Sequence, residues 1–244
     1  SLPKVMILQM MVINSPVENS MGFSCMEVTM KKWKAILFDM DGTLFDTEQI
    51  SRIAWLATME RFHLPKSEQF ILDLIGRTYQ SAQVVFDAYM PKGWPQEEAY
   101  QYHEDYAMEY KKTHGPLPKC NLKQLFTALQ EKGYRLALAS SARRENVEFN
   151  LRHEGIQDVF EEIVVGKMVA HGKPHPDIYL ETAKRLGLRK EDCLVIEDSK
   201  NGILAAHAAK MDVIMIPDMI APDDELKAMC YQVMEKLEDI LTVL

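Results

Sequence analysis

Short apolar runs alternate with longer amphipathic stretches from Trp33 to the end of the chain. The near-continuous apolar runs predict strands, at Ala35–Asp39, Arg135–Ser140, Glu162–Val165, Cys193–Asp198 and Val213–Pro217. The stretches with helical spacing predict helices, at Leu122–Lys132, Glu145–Glu154, Asp177–Leu186 and Asn201–Lys210. Strands that are apolar on both faces are typical of parallel sheets covered by helices. We therefore predict an α/β fold with a doubly wound parallel sheet.

One interval interrupts this alternation. Roughly ninety residues separate the first two predicted strands, too many for a single crossover helix. The segment Glu48–Lys112 within it has a helical pattern throughout. We predict a small α-helical cap, residues 47–112, inserted into an α/β core made of residues 31–46 and 113–244. Parallel sheets bind ligands beyond the carboxyl ends of their strands, so this insertion is expected to cover such a site.

The first thirty residues do not follow the pattern. Lys4–Ile13 is apolar but about half as long as a bilayer-spanning helix, and no A-x-A-like cleavage site follows it. We predict that residues 1–30 are a peripheral extension, partly left over from processing or cloning, with a targeting segment as the alternative.

Composition narrows the classes of function. Of 244 residues 47% are hydrophobic and 26% charged, the net charge is −8, and no run of five basic residues occurs. An electrostatic surface for nucleic acid is therefore not expected. The cysteines form no C-x-x-C pair, which favours reduced thiols in a cytoplasmic protein, and none has Arg six positions later, which disfavours a Cys-x5-Arg phosphatase. We expect no membrane partner and, because a lid must open, a monomer.

Polar residues gather where the predicted strands end. Because parallel strands present their carboxyl ends on one edge, these side chains are expected to converge there. The set is acidic and hydroxylic with one lysine: Asp39, Asp41, Ser140, Ser141, Lys173, Glu197 and Asp198. This assortment fits phosphoryl transfer through an aspartyl-phosphate.

Each part of that reaction has a candidate group. A carboxylate attacks phosphorus only if the repulsion between anions is suppressed, and Mg²⁺ shared by Asp39 and Asp198 would do so. Lys173, the Ser140 hydroxyl and backbone N–H groups near Ser141 are predicted to hold the phosphoryl oxygens. Asp41 is placed to act as general acid and base, and Gly42 to allow the sharp turn after it.

Four motifs carry a resemblance to a known family. "FDMDGTLFDTE", "LALAS", "GKPHPD" and "LVIEDS" are similar in order and spacing, over roughly residues 33–217, to the motifs of the haloacid dehalogenase-like phosphatase superfamily. The resemblance implies a Rossmann-like core with a helical cap, Asp39 as nucleophile and Asp41 as acid/base. It also implies Mg²⁺ held by Asp39, the Asp41 carbonyl, Asp198 and Glu197.

Within that superfamily the sequence resembles the branch of β-phosphoglucomutase, sugar-phosphate phosphatases and pseudouridine-5′-phosphatase. The implied activity is Mg²⁺-dependent hydrolysis of a small phosphomonoester, such as a sugar phosphate or a nucleoside monophosphate. A phosphomutase is the alternative. The cap histidine and arginine of β-phosphoglucomutase are replaced here by Ser51 and Tyr79, which favours hydrolysis. Gly76 and Arg77, in "LIGRTYQ", are candidate substrate contacts.

Other polar residues have structural explanations. Asp46 and Glu48 are predicted to cap and charge the first cap helix, and Ser199 to cap the helix near Asn201. His171 and His175 are four apart, but the prolines between and after them break the helix that a zinc pair would need.

Overall fold

The computed structural model describes residues 32–75, 79, 82–218 and 221–244, together with the antiparallel pair Val17–Glu18 and Ser24–Cys25. Within this part of the chain six strands form one parallel sheet, in the order β3-β2-β1-β4-β5-β6. The strands are β1 (Ala35–Phe38), β2 (Arg135–Ser140), β3 (Glu162–Val165), β4 (Cys193–Glu197), β5 (Asp212–Met215) and β6 (Gln232–Val233). This order is the one expected of a doubly wound sheet whose ligand site lies beside β1 and β4.

The apolar runs predicted five of these strands. The bounds of β2 and β3 are confirmed, and those of the other three differ by one or two residues. β1 stops at Phe38, although the N–H of Asp39 still donates to the Ile196 carbonyl at 3.0 Å. β4 ends at Glu197, and β5 covers Asp212–Met215. The predicted ends were too long because the chain turns away at the carboxyl edge. β6 was not predicted, since two residues on a sheet edge produce no periodic pattern.

Between β1 and β2 the described residues form four helices: α1 (Thr47–Arg61), α2 (Glu68–Leu74), α3 (Gln83–Tyr89) and α4 (Gln96–His114). The expectation of a continuously helical segment was therefore wrong in detail. Pro65, Pro91 and Pro95 lie between these helices, where proline disfavours a continuous helix. The helices enclose their own apolar cluster around Trp55, Phe70 and Phe86.

In the described chain after α4 lie the helices α5 (Leu122–Glu131), α6 (Arg144–Glu154), α7 (Asp177–Arg185), α8 (Lys200–Ala208) and α9 (Asp224–Met229). Alternation along β1 decides what each face of the sheet contacts, because successive side chains point to opposite sides. Ile36 and Phe38 join the cluster formed with α5 and α6. Ala35 and Leu37 join the cluster formed with α7, α8 and α9. The predicted doubly wound α/β fold is confirmed.

Two adjacent chain segments connect the four helices to the sheet. The Asp46 N–H donates to the Leu117 carbonyl at 2.7 Å, and the Lys119 N–H donates to the Leu44 carbonyl at 2.9 Å. These bonds place the start of α1 and the chain that follows α4 side by side, close to the carboxyl end of β1. Among the described residues, no helix combines the length and apolarity needed to cross a bilayer.

Candidate active site

Lys173 is the centre of a buried ion-pair network at the carboxyl edge of the sheet. Its Nζ lies 2.5 Å from Asp39 Oδ1, just after β1, and 2.6 Å from Glu197 Oε1, at the end of β4. It also contacts the carbonyl oxygen of Ala139, in β2, at 3.3 Å. The side chains of Lys173 and Asp39 are only 6% and 10% exposed. The structure thus brings together three of the predicted site residues from distant parts of the sequence.

Glu197 accepts hydrogen bonds on both carboxylate oxygens. Oε1 accepts from Lys173 and from the Tyr179 hydroxyl, the latter at 3.0 Å. Oε2 accepts from the N–H groups of Asp198 and Ser199, both at 2.8 Å, and from the Ser199 hydroxyl at 3.1 Å. This carboxylate is therefore fixed against the start of α8 and orients Lys173. The role of Glu197 as a metal ligand stays a prediction.

Charge in this network is set by burial and by the partners. Burial by itself would lower the pKa of Lys173, but the charges of Asp39 and Glu197 outweigh it and raise that pKa well above its ordinary value. Burial by itself would raise the pKa of Glu197, but Lys173 and the donated hydrogen bonds hold it below the usual range. Lys173 is therefore a cation and Glu197 an anion in the folded protein.

Asp198 approaches the turn after β1 very closely. Its Oδ1 accepts from the Thr43 hydroxyl at 2.9 Å. Gly42 has φ +85°, and a Cβ at that position would lie 2.1 Å from Asp198 Oδ2. Only glycine tolerates both the positive φ and the contact. The turn expected at Gly42 is therefore present, and it also makes room for the carboxylate of Asp198.

Asp39, Glu197 and Asp198 form an acidic group that suits a cation. Each has a carboxylate oxygen within 4.8 Å of the others. Burial, only partly offset by Lys173, raises the pKa of Asp39 to about 8. Burial, followed by the charges of Glu197 and Asp39, raises the pKa of Asp198 well above its ordinary value. Carboxylates in this state ionise when further positive charge arrives, and oxygen donors are the ligands that Mg²⁺ prefers, so the residues fit this metal.

A cavity of about 450 Å³ opens between Asp41 and the helices α1 and α4. One wall carries Thr47, Ser51 and Trp55 of α1, which repeat every four residues and so share a helix face. The facing wall, on α4, carries Tyr100, His103, Glu104 and Lys111. Burial raises the pKa of Asp41 against the opposing charges of Lys111 and Lys173. A carboxyl group that keeps its proton more readily at the end of a cavity is suited to general acid chemistry.

Four other residues were predicted to contact the phosphoryl group or the substrate: Ser140, Ser141, Gly76 and Arg77. Ser140 is fully buried at the end of β2, and its Oγ accepts from the Ala142 N–H at 3.1 Å. Ser141 is exposed. Gly76 and Arg77 lie outside the described residues, so their proposed contact with substrate stays a prediction.

The capping predictions are confirmed in two places. The side chain of Asp46 accepts from the Gln49 N–H at 3.0 Å and begins α1. The side chain of Ser199 accepts from the Gly202 N–H at 3.1 Å and begins α8. Glu48 differs, because it lines the cavity, and burial together with the nearby charge of Asp218 raises its pKa to about 7.

Sequence reasoning missed two buried residues of the site. Tyr179 lies on the inner face of α7, where an apolar pattern hides its hydroxyl among core positions. His103 was not predicted as a site residue, yet it is buried and lines the cavity. A tyrosine six positions after Lys173, on the buried side of a predicted helix, was the one available signal for the first. The contact of the second with Ser51 has no local signal, since Ser51 is on another helix.

The sheet order, the acidic edge and the buried lysine define an α/β protein with a carboxylate-based site. Residues 36–216 match the sequence profile of the haloacid dehalogenase-like hydrolase family. The chain belongs to this family, and the resemblance inferred from its motifs is confirmed.

Individual relatives agree with this membership. The chain is 33% identical over 186 residues to a bifunctional riboflavin kinase/FMN phosphatase of Arabidopsis thaliana, covering 75% of this chain and 48% of that protein. It is 32% identical over 202 residues to a pseudouridine-5′-phosphatase candidate of Drosophila melanogaster, covering 78% and 84%. The chain therefore spans about half the length of the first relative and most of the second.

A solved structure extends the likeness to the fold. A β-phosphoglucomutase candidate from Thermotoga maritima superposes with a TM-score of 0.73 at 26% identity, covering 86% of this chain and 97% of that one. Both named relatives carry a phosphatase name, and the structural neighbour carries the name of a mutase candidate. The prediction of an enzyme of the phosphatase kind within this family is confirmed, and its chemistry and substrate are developed next.

Proposed function

We propose that this protein hydrolyses a small phosphomonoester by transferring the phosphoryl group to Asp39, with residues 47–112 acting as the cap. The observation that carries the proposal is the buried contact of Lys173 with Asp39, beside Asp198 and below a cavity that Asp41 lines. A nucleophilic carboxylate, a fixed cation and a second carboxyl group facing the substrate are the parts that this reaction needs.

In the first step a carboxylate oxygen of Asp39 attacks phosphorus, and the bond from phosphorus to the ester oxygen breaks. Asp41 donates its proton to that oxygen, so the alcohol leaves neutral. In the second step Asp41, now a carboxylate, accepts a proton from a water molecule as the water oxygen attacks phosphorus. The bond to Asp39 breaks, phosphate leaves, and both aspartates return to their starting states.

The other residues stabilise charge around the phosphoryl group. Lys173 is kept cationic by Asp39 and Glu197, and its contact with the proposed nucleophile supports a role in stabilising negative charge on the phosphoryl oxygens. Mg²⁺ held by Asp39, Asp198 and the Asp41 carbonyl would reduce the repulsion between the attacking carboxylate and the phosphate. Ser140 is the proposed hydroxyl contact.

The test is phosphate release from a broad panel of monoesters in the presence of Mg²⁺. We expect turnover by the wild-type protein, its loss after chelation, and a fall of about a thousandfold or more in Asp39→Asn, the size typical of losing a nucleophile. Asp46→Asn is the matched control. It makes the same change of side chain at the N-cap of α1, outside the proposed site, and asparagine also caps a helix.

Two results would count against the proposal. Absence of phosphate release from every ester would reject hydrolysis, and equal rates in Asp39→Asn and wild type would reject Asp39 as nucleophile. Formation of glucose 6-phosphate from β-glucose 1-phosphate without free phosphate would instead support a phosphomutase, the alternative raised by the sequence.

A further inference from the structure

Three polar side chains on α1 and α4 form a continuous hydrogen-bonded row inside the cavity. Ser51 Oγ lies 3.2 Å from His103 Nε2, and His103 Nδ1 lies 3.1 Å from Glu104 Oε1. All three residues line the same cavity as Asp41. This row, Ser51–His103–Glu104, takes no part in the reaction steps described above.

His103 is held firmly in this arrangement. Its ring stacks on the buried Trp55, with centroids 4.5 Å apart and planes at 25°. Trp55 is fixed in turn by edge contact with Phe70, at 5.1 Å. A histidine only 6% exposed, wedged against an indole, presents its two ring nitrogens in fixed directions. The row is therefore preorganised.

The direction of one of these two hydrogen bonds follows from the charge of Glu104. The hydrogen bond from His103 holds the pKa of Glu104 below its usual range, so this side chain is a carboxylate and accepts from Nδ1–H. The other ring nitrogen, Nε2, is paired with the Ser51 hydroxyl at 3.2 Å. A hydroxyl offers one donor and two acceptor sites, so this bond leaves Ser51 able to form a second hydrogen bond with a molecule in the cavity.

We propose that Ser51, oriented by His103 and Glu104, is a specificity-determining residue that forms a hydrogen bond with a substrate hydroxyl. This inference rests on the proposed phosphatase function and deepens it. The substrate class is a phosphomonoester whose carbon skeleton carries free hydroxyl groups close to the phosphate. His103 and Glu104 act as positioning residues, since they act through Ser51.

Sequence spacing supports this placement of Ser51. It follows Thr47 by one helical turn and precedes Trp55 by another, so it faces the cavity between the end near Asp41 and the aromatic residues further along α1. Because Ser51 and Asp41 line the same cavity, Ser51 is available to the leaving alcohol of an ester bound there. Asp41 donates to the ester oxygen, and Ser51 forms a hydrogen bond with a hydroxyl elsewhere on the same molecule.

The test compares two esters, ribose 5-phosphate, which carries hydroxyls, and p-nitrophenyl phosphate, which carries none. The measured quantity is the ratio of their kcat/KM values. We expect Ser51→Ala to lower this ratio about tenfold, the effect of one lost hydrogen bond, mainly through the KM of ribose 5-phosphate. Ser51→Thr keeps the hydroxyl and is expected to keep the ratio. His103→Gln and Glu104→Gln are expected to lower it by less.

The control is Gln101→Ala, an exposed position on α4 outside the cavity, which should leave the ratio and both rates unchanged. The proposal is overturned if Ser51→Ala leaves the ratio within twofold of wild type. It is also overturned if Ser51→Thr lowers the ratio as much as Ser51→Ala, because that would show an effect of shape. A wild-type protein that hydrolyses only p-nitrophenyl phosphate rejects this inference alone, whereas one that hydrolyses neither ester, nor any other monoester, rejects the proposed phosphatase function.

Discussion

Removing one oxygen atom, by Tyr179→Phe, tests the network that holds Lys173. The hydroxyl of Tyr179 is fully buried and donates to Glu197 Oε1 at 3.0 Å. Burial and the negative charge of Glu197 raise the pKa of this phenol well above its ordinary value, so it remains a donor at any practical pH. The substitution keeps the ring, over which the Lys173 Nζ lies 5.0 Å from the centroid.

The magnitude follows from the type of bond. A hydrogen bond to a charged acceptor contributes about 1.5–3 kcal/mol of net stability. For a protein of this size each kcal/mol shifts Tm by roughly 2–4 °C, so Tyr179→Phe is expected to lower Tm by about 3–12 °C. We also expect kcat to fall, because Glu197 loses the hydrogen bond from Tyr179 and then positions Lys173 less firmly.

The assay is thermal unfolding followed by circular dichroism, together with phosphate release. Tyr231→Phe is the matched control, since it removes the same atom from a side chain that is 48% exposed and packs edge-on against Trp33 at 5.0 Å. If Tyr179→Phe lowers Tm no more than Tyr231→Phe does, the hydroxyl does not stabilise the buried carboxylate, and the reasoning about Lys173 fails.

Two further predictions concern α1. Glu48 has a pKa raised to about 7, so the folded state binds its proton more tightly than the unfolded state, and its stabilising contribution is present below about pH 4.5 and is lost as pH rises through 7. Glu48→Gln should therefore reduce the loss of Tm between pH 5 and pH 8, and an unchanged pH dependence would contradict this. Asp46→Ala removes the helix cap and should lower stability by about 0.5–2 kcal/mol, measured by urea unfolding, whereas Asp46→Asn should retain it.

The pattern along the chain was sufficient for the sheet and for most of the acidic edge. Four of the five predicted strands are central, and a central parallel strand is apolar on both faces, so it produces a continuous apolar run. The fifth, β3, lies at the edge of the sheet and was predicted from its short apolar run. Asp39 and Asp198 could be placed together because parallel strands share one edge. The interval of four helices was recognised by its length, but their boundaries were missed, since prolines and turns interrupt a pattern that looked continuous.

The sequence by itself determined which residue types reach the carboxyl edge of the sheet. Only the tertiary structure decided which of these residues contact one another. Glu197 accepts from Lys173 and Tyr179, which are 24 and 18 residues away in sequence, and neither bond is encoded by spacing along the chain. His103 meets Ser51 across two helices, at 3.2 Å and 52 residues apart in sequence. Local patterns report burial and periodicity, whereas contacts between distant elements depend on how packed helices and strands fit together in space.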